Sequence, residues 1–345
     1  MKLKKLLEYK LKGERNVSAR KPLIIGDHLI IVFTFHKKGG IASRVVCLDK
    51  NTFDAVWEYD YLFVINNIQQ SPSNNILVCC MDGKLVELDA TNGETLNMYE
   101  LDMYRCGTAS LIFDNKLLVG GVQKTTTINC FDFNSSEVKW SFDSQGHSYK
   151  PVVDSGKAYI CTQHTIRCFD LNTGMVLWEA SEESTYMFNP IVYGDLVMVG
   201  GHGLVNIYHN ESGKLLNQIK TEMAEAIRSI IADGDCIFFG DEAGEFYSFK
   251  INREKNGLDE GHVECELLWK FSTKGSIQSF PVISGDQVLF VNDDNKMVCL
   301  NKISGDQLCT FNTKGEASTS GIIMEEEIIY TAVGKGFVYK LEQAN

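Results

Sequence analysis

Short apolar runs alternate with tight turns along the whole chain, and no stretch carries the period of an amphipathic helix. One phrase, CFDLNTGMVLWEA at residues 168–180, begins apolar, turns through Asn-Thr-Gly and ends on an apolar run holding Trp178. Aligned on Asp170, it recurs as CLDKNTFDAVWEY at Asp49, ELDATNGETLNMY at Asp89 and CFDFNSSEVKWSF at Asp132. Later copies are IYHNESGKLLNQI at His209, SFKINRE with LLWKF at Lys250, CLNKISGDQLCTF at Asn301 and YKLEQAN at Glu342. Successive spacings are 40, 43, 38, 39, 41, 51 and 41. The long spacing holds NREKNGLDEGHVECE, an insertion at about 252–266 in the sixth unit.

Each unit has an upstream half: KPLIIGDHLIIVF, NPIVYGDLVMVGG, SIIADGDCIFFGD and FPVISGDQVLFVN are pairs of apolar runs joined by a turn. The spacing predicts hairpins turning at Gly26-Asp27, Gly194-Asp195, Gly234-Asp235 and Gly285-Asp286, where glycine supplies positive φ. A third strand ends at the aligned Asp and a fourth carries the Trp, so each unit reads as a four-stranded antiparallel meander. Eight such units make an all-β chain, an eight-bladed β-propeller forming a single domain over 1–345, with seven blades as the alternative. The last unit stops before its fourth strand. The segment LLEYKLKG resembles LLWKFSTKG with Glu8 in place of Trp, so residues 5–11 are expected to complete the C-terminal blade.

The phrase ALDxxTGxxLW is the repeat of the pyrroloquinoline quinone (PQQ)-type propellers, and CFDLNTGMVLWEA resembles it closely. In that family the Trp packs on the neighbouring blade. Trp57, Trp140, Trp178 and Trp269 match it, whereas Asn97, Asn217, Cys309 and Glu8 stand in its place. The resemblance implies fold more than function, because the repeat serves quinone dehydrogenases and an outer-membrane assembly lipoprotein alike.

Composition narrows the chemistry. A net charge of −12 argues against nucleic-acid binding by the bulk surface. No window is apolar enough to span a membrane, and the N-terminus has no signal-peptide h-region. The 11 cysteines, odd in number and set within strands, fit reduced thiols and a cytoplasmic location. Cys79-Cys80 resembles the vicinal pair of quinone-dependent alcohol dehydrogenases, but adjacent strand residues point to opposite faces. The seven His show no metal-ligand spacing, and Asp293-Asp294 lacks a calcium ladder. Glu325-Glu326-Glu327 occupies a hairpin turn and reads as solvated. No G-x-S-x-G elbow is present. No cofactor, metal or catalytic residue is therefore assigned.

In a propeller the first strand of each blade lines the central channel, and its start lies at one mouth. The residues there are Arg20-Lys21-Pro22, Asn67-Ile68-Gln69, Thr108-Ala109-Ser110 and Tyr149-Lys150-Pro151. The remaining starts are Phe188-Asn189-Pro190, Ile227-Arg228-Ser229, Ser279-Phe280-Pro281 and Thr319-Ser320-Gly321. They hold four cations and no Asp or Glu in a chain with 45 acids. The expected binding residues are Arg20, Lys21, Asn67, Tyr149, Lys150, Phe188, Asn189, Arg228 and Phe280. A cationic, aromatic mouth favours an acidic protein or peptide segment; the alternative is that these cations only bond neighbouring blades. The reading is a monomeric, non-catalytic protein-binding scaffold. A quinone-dependent dehydrogenase and a bacterial immunity or antitoxin-type protein are the alternatives. The insertion is equally a binding loop or a surface decoration.

Overall fold

The computed structural model describes residues 2–101, 109–121, 127–183, 185–254, 262–316 and 321–344. Eight antiparallel sheets follow one another, and the fold is an eight-bladed β-propeller. The blades occupy 15–61, 65–100, 109–143, 152–181, 190–220, 230–272, 282–312 and 322–344. The strand Lys2–Lys10 joins the eighth by pairing with Phe337–Ala344. Blades one to three and eight form one compact unit, and blades four to seven form another. The Gly-Asp turns lie where the spacing put them, with φ of 58°, 61°, 55° and 55° at Gly26, Gly194, Gly234 and Gly285.

Two local features depart from the repeat. The first strand of blade one is interrupted: Arg15–Ala19 and Leu23–Ile25 both pair with His28–Lys37. The second and third strands there run to ten residues each, so this hairpin extends beyond its counterparts. In blade eight a bulge between Lys5 and Leu7 places Leu7 opposite Lys340. That is the register position of Trp57 opposite Cys47, so Leu7, and not Glu8, stands where the Trp would be. Glu8 instead receives Lys314 Nζ at 2.7 Å.

The tryptophans explain how blades meet. Trp57 Nε1 donates to Ala90 O of the next blade at 3.1 Å, Trp178 Nε1 to Asn210 O at 2.9 Å, and Trp269 Nε1 to Lys302 O at 3.1 Å. Each indole lies against a turn glycine of that next blade. A Cβ on Gly93, Gly213 or Gly305 would come within 2.5–2.6 Å of the ring. Beneath Trp57, Trp140 and Trp178, the cross-strand neighbours are Cys47, Cys130 and Cys168, and beneath Trp269 it is Ser248. These positions are small, which leaves room for the indole. Burial pushes the Cys47 thiol up to about 12 and Cys130 and Cys168 to about 11, so they are packed neutral thiols.

At two of the junctions without a Trp, other groups fill the space. Phe53, at φ 63° in the glycine position of blade one, joins the core cluster that includes Leu7 and Tyr9 of blade eight. Asn217 of blade five lies under the extended hairpin of blade six, Glu245–Glu254 and His262–Ser272. Its Nδ2 donates to Val263 O at 2.6 Å. Val263, Ile251 and Cys265 pack in the same core as Ile207 and Ile219. The described part of the insertion is thus a structural cover; residues 255–261 lie outside the described chain. Val263→Ala should cost about 1–2 kcal/mol in denaturant melts, as expected for removing two buried methyl groups.

Candidate functional site

In the second unit the first strands begin with backbone bonds at one level: Tyr149 N donates to Cys161 O and Phe188 N to Gly200 O, each at 2.9 Å. This fixes the side chains of the strand starts. The buried Phe188 ring meets Tyr149 edge-on at 5.3 Å and 80°. The Arg228 guanidinium sits 5.0 Å from the Phe188 centroid, and its Nε donates to Glu242. Asn189 ties three blades together: its Oδ1 accepts from Lys150 N at 3.1 Å and its Nδ2 donates to Arg228 O at 2.8 Å. Ser229 Oγ donates to Ser279 O at 3.3 Å, continuing the belt to the seventh blade. Lys150 remains exposed at the surface. Protein atoms crowd most of its hydration shell, and that desolvation lowers its pKa. Phe280 is 37% exposed beside this belt.

Turns between second and third strands reach the same end of the blades. Tyr186, half-exposed, stacks on His164 at 4.7 Å, and His202 lies edge-on to both Tyr186 and Phe188. The imidazole of His164 donates from Nδ1 to Thr185 O at 2.7 Å. The series from His164 through Tyr186, His202 and Phe188 to Arg228 is a continuous aromatic surface ending in a cation. Sequence reasoning missed Glu242, His164 and His202, which lie on turns between second and third strands, and Tyr186, which lies in the connection just before Phe188. An aligned column of those turns would have shown them.

In the first unit Arg20 lies between the two pieces of the interrupted strand, its backbone N donating to Val32 O at 3.0 Å. Its Nε is buried without a hydrogen-bond partner, and desolvation lowers its pKa. Lys21 is exposed, with its stem against Gly321: a Cβ there would meet Lys21 Cγ at 2.8 Å. Asn67 Nδ2 and Gln69 Nε2 both donate to the buried Ser110 Oγ, at 2.8 and 2.9 Å. Asn67, like Asn189, therefore clasps a neighbouring blade. Thr108, Thr319 and Ser320 lie outside the described residues.

The remaining candidates resolve into packing. Cys79 and Cys80 are both buried thiols, and they belong to separate core clusters on opposite faces of their strand. Burial raises the Cys80 thiol pKa. Among the described residues no group of three or more His, Cys, Asp or Glu could hold a metal. Glu325 is ion-paired with Lys50 at 3.0 Å, linking blades eight and one. No helix among the described residues is long and apolar enough to cross a membrane.

Comparison with known proteins supports this architecture. The chain is similar to BamB from Moraxella catarrhalis, at 18% identity over 99% of this chain and 98% of that one, with a TM-score of 0.72. It is similar to the computationally designed protein Ika8, at 14% identity over 99% and 100% of the two chains and TM-score 0.80. It is also similar to Chaetomium thermophilum Sqt1 bound to the N-terminus of the ribosomal protein L10, at 12% identity over 99% and 100%, with TM-score 0.79. At such identities the likeness speaks for the fold alone. No curated protein matches the sequence. The family model described as outer membrane protein assembly factor BamB matches residues 4–180, just over half of the chain. With the repeat, the eight sheets and that match in agreement, the chain belongs to the PQQ-repeat propeller family of the outer membrane protein assembly factor BamB.

Proposed function

We propose that the protein is a non-catalytic scaffold that captures an acidic segment of a protein or peptide at the strand-start end of its blades. One observation carries this reading: Arg228 stacked on Phe188, with Tyr149 behind and Lys150 on the adjoining strand. An incoming carboxylate can replace Glu242 at Arg228 while a second meets Lys150, and the exposed Phe280 and Tyr186 supply apolar contact. The aromatic rings are held by packing and the strand starts by the asparagine belt, so little ordering is needed on binding. Sqt1, similar in fold, is seen bound to a protein N-terminus, which supports a peptide as the occupant. Among the described residues the cysteines are thiols, all but Cys236 and Cys265 buried, which supports a cytoplasmic setting. We take the scaffold to act as a monomer and not on nucleic acid.

A labelled peptide rich in Asp and Glu, titrated by fluorescence polarisation, tests this reading. Lys150→Glu with Arg228→Glu should weaken binding roughly tenfold or more without changing the melting temperature. Adding Arg20→Glu tests the first unit separately. Affinity should fall between about 50 and about 200 mM salt. It should also fall as rising pH deprotonates Lys150, earlier than for an ordinary lysine. Unchanged affinity in the charge-reversed variant would discard the proposal.

A further inference from the structure

The junction between blades two and three has neither the indole nor a filler. Asn97 stands in the Trp position, and its cross-strand neighbour is Glu87, where the Trp blades carry Cys or Ser. The turn that should offer glycine has Ser136, at φ 55°. Tyr99, two residues beyond Asn97, packs on Phe131 and Phe133 at 5.1 and 6.3 Å instead. A cleft of about 350 Å³ is left, with Glu87 and Asn97 in it and Tyr99 and Phe133 as walls. It opens among the turns that carry Ser73, Asn115 and Asn134. Those turns lie at the opposite end of the blades from the strand starts, so this site is independent of the acidic-segment reading.

Glu87 is buried, 5% exposed. Its Oε1 accepts from Ser71 Oγ at 2.7 Å and from Ser73 Oγ, and its Oε2 from Asn97 Nδ2 at 2.8 Å. Burial alone would raise its pKa; the bonds from Ser73, Asn97, Ser71 and Asn75 outweigh this and hold the carboxyl below the usual range. Among the described residues no Lys or Arg forms an ion pair with it. A negative charge thus stands buried, stabilised by neutral donors and with no counter-charge among the described residues, so its field on the cleft favours a cation.

We propose that this cleft binds a primary ammonium group. Ser71, Ser73, Asn97 and Asn75 together engage about all four acceptor positions of the carboxylate, so it offers the cleft its charge with little room for paired contacts. That suits the single-point contact of an ammonium and disfavours the paired contacts of a guanidinium. The amide oxygens of Asn115 and Asn134 supply further acceptors for its three N–H donors, and the rings of Tyr99 and Phe133 flank the alkyl stem and favour a cation. The ammonium is either that of a free alkylamine or the side chain of a lysine on a partner.

Calorimetric titration of the whole protein with n-butylammonium, with n-butanol as the neutral control, tests the site. A Gly-Lys-Gly peptide and its ε-acetylated form make the second arm. Saturable binding of either ammonium, absent for its neutral counterpart, supports the proposal. Preference for butylammonium assigns a free amine and preference for the peptide a partner lysine. Glu87→Gln should weaken binding at least tenfold. A graft of the blade one–two junction, Glu87→Cys with Asn97→Trp and Ser136→Gly, should fill the cleft and abolish binding. No saturable heat from either ammonium at about 10 mM, equal heat from the neutral controls, or undiminished binding in either folded variant overturns it. The comparison of ammonium with neutral probe in the unaltered protein decides the matter even if neither variant folds.

Discussion

Trp178→Ala is expected to lower the free energy of unfolding by about 3–5 kcal/mol. The indole is nearly buried and packs between Tyr159 at 5.9 Å and Tyr208 at 6.5 Å, in a cluster with Met187, Val197 and Val199. Removing it opens a cavity across a blade junction. The lost hydrogen bond matters less: Asn210 O also accepts from Tyr159 Oη at 3.3 Å, so the carbonyl keeps a partner. Packing therefore dominates, and Trp178→Phe, which retains much of the ring, should cost markedly less. Urea melts of the variants check this. A loss below about 1 kcal/mol for Trp178→Ala would show that the indole does not hold the blades together.

Gly213→Ala is the second large effect, about 2–5 kcal/mol, and its two parts are separable. At φ 70° an alanine bears roughly 1–2 kcal/mol of left-handed strain. The new Cβ would also lie 2.5 Å from Trp178 Cε3, and overpacking of this kind adds about 1–3 kcal/mol. Gly285→Ala supplies the control. Its φ of 55° is comparable, yet nothing lies within 4 Å of its Cβ position, so only the backbone part should appear. Equal losses at the two glycines would refute the steric part.

The repeat was legible because one apolar phrase, one turn and one spacing recur, and the Gly-Asp turns needed only their own residues to be read. The N-terminal closing strand was legible for the same reason, though its register was not: a bulge at Lys5–Leu7 is a backbone event that moves Leu7 into the Trp position. The docking rule was present in the sequence but displaced by one repeat. Gly93, Gly174, Gly213 and Gly305 each follow a unit that carries a Trp, while Phe53, Ser136 and the 252–266 insertion follow units that do not. Aligning repeats column by column separates Trp57, Trp178 and Trp269 from the glycines that make room for them. Cys47, Cys130 and Cys168 gain their explanation from the same geometry, as the small residues beneath the indoles. Tyr149, Phe188, Ile227 and Ser279 fall just ahead of their first strands, whereas Arg20 lies in an interruption and Asn67 inside Ile65–Gln70, and the bonding of these positions was hidden. Nothing in Asn67 or Asn189 alone announces that it reaches the next blade, and Glu242 arrives from a turn remote in sequence from Arg228.

The seating of an indole on the next blade's glycine underlies the fold, the role of the insertion and the open cleft at Glu87. A double-mutant cycle of Trp178→Ala and Gly213→Ala, followed by urea unfolding, measures it directly. With the ring gone, the alanine Cβ meets no ring atom. The loss in the double variant should then fall short of the sum of the two single losses by about 1–3 kcal/mol. Losses that add to within about 0.5 kcal/mol would mean that the tryptophan and the glycine act independently, and would contradict the account.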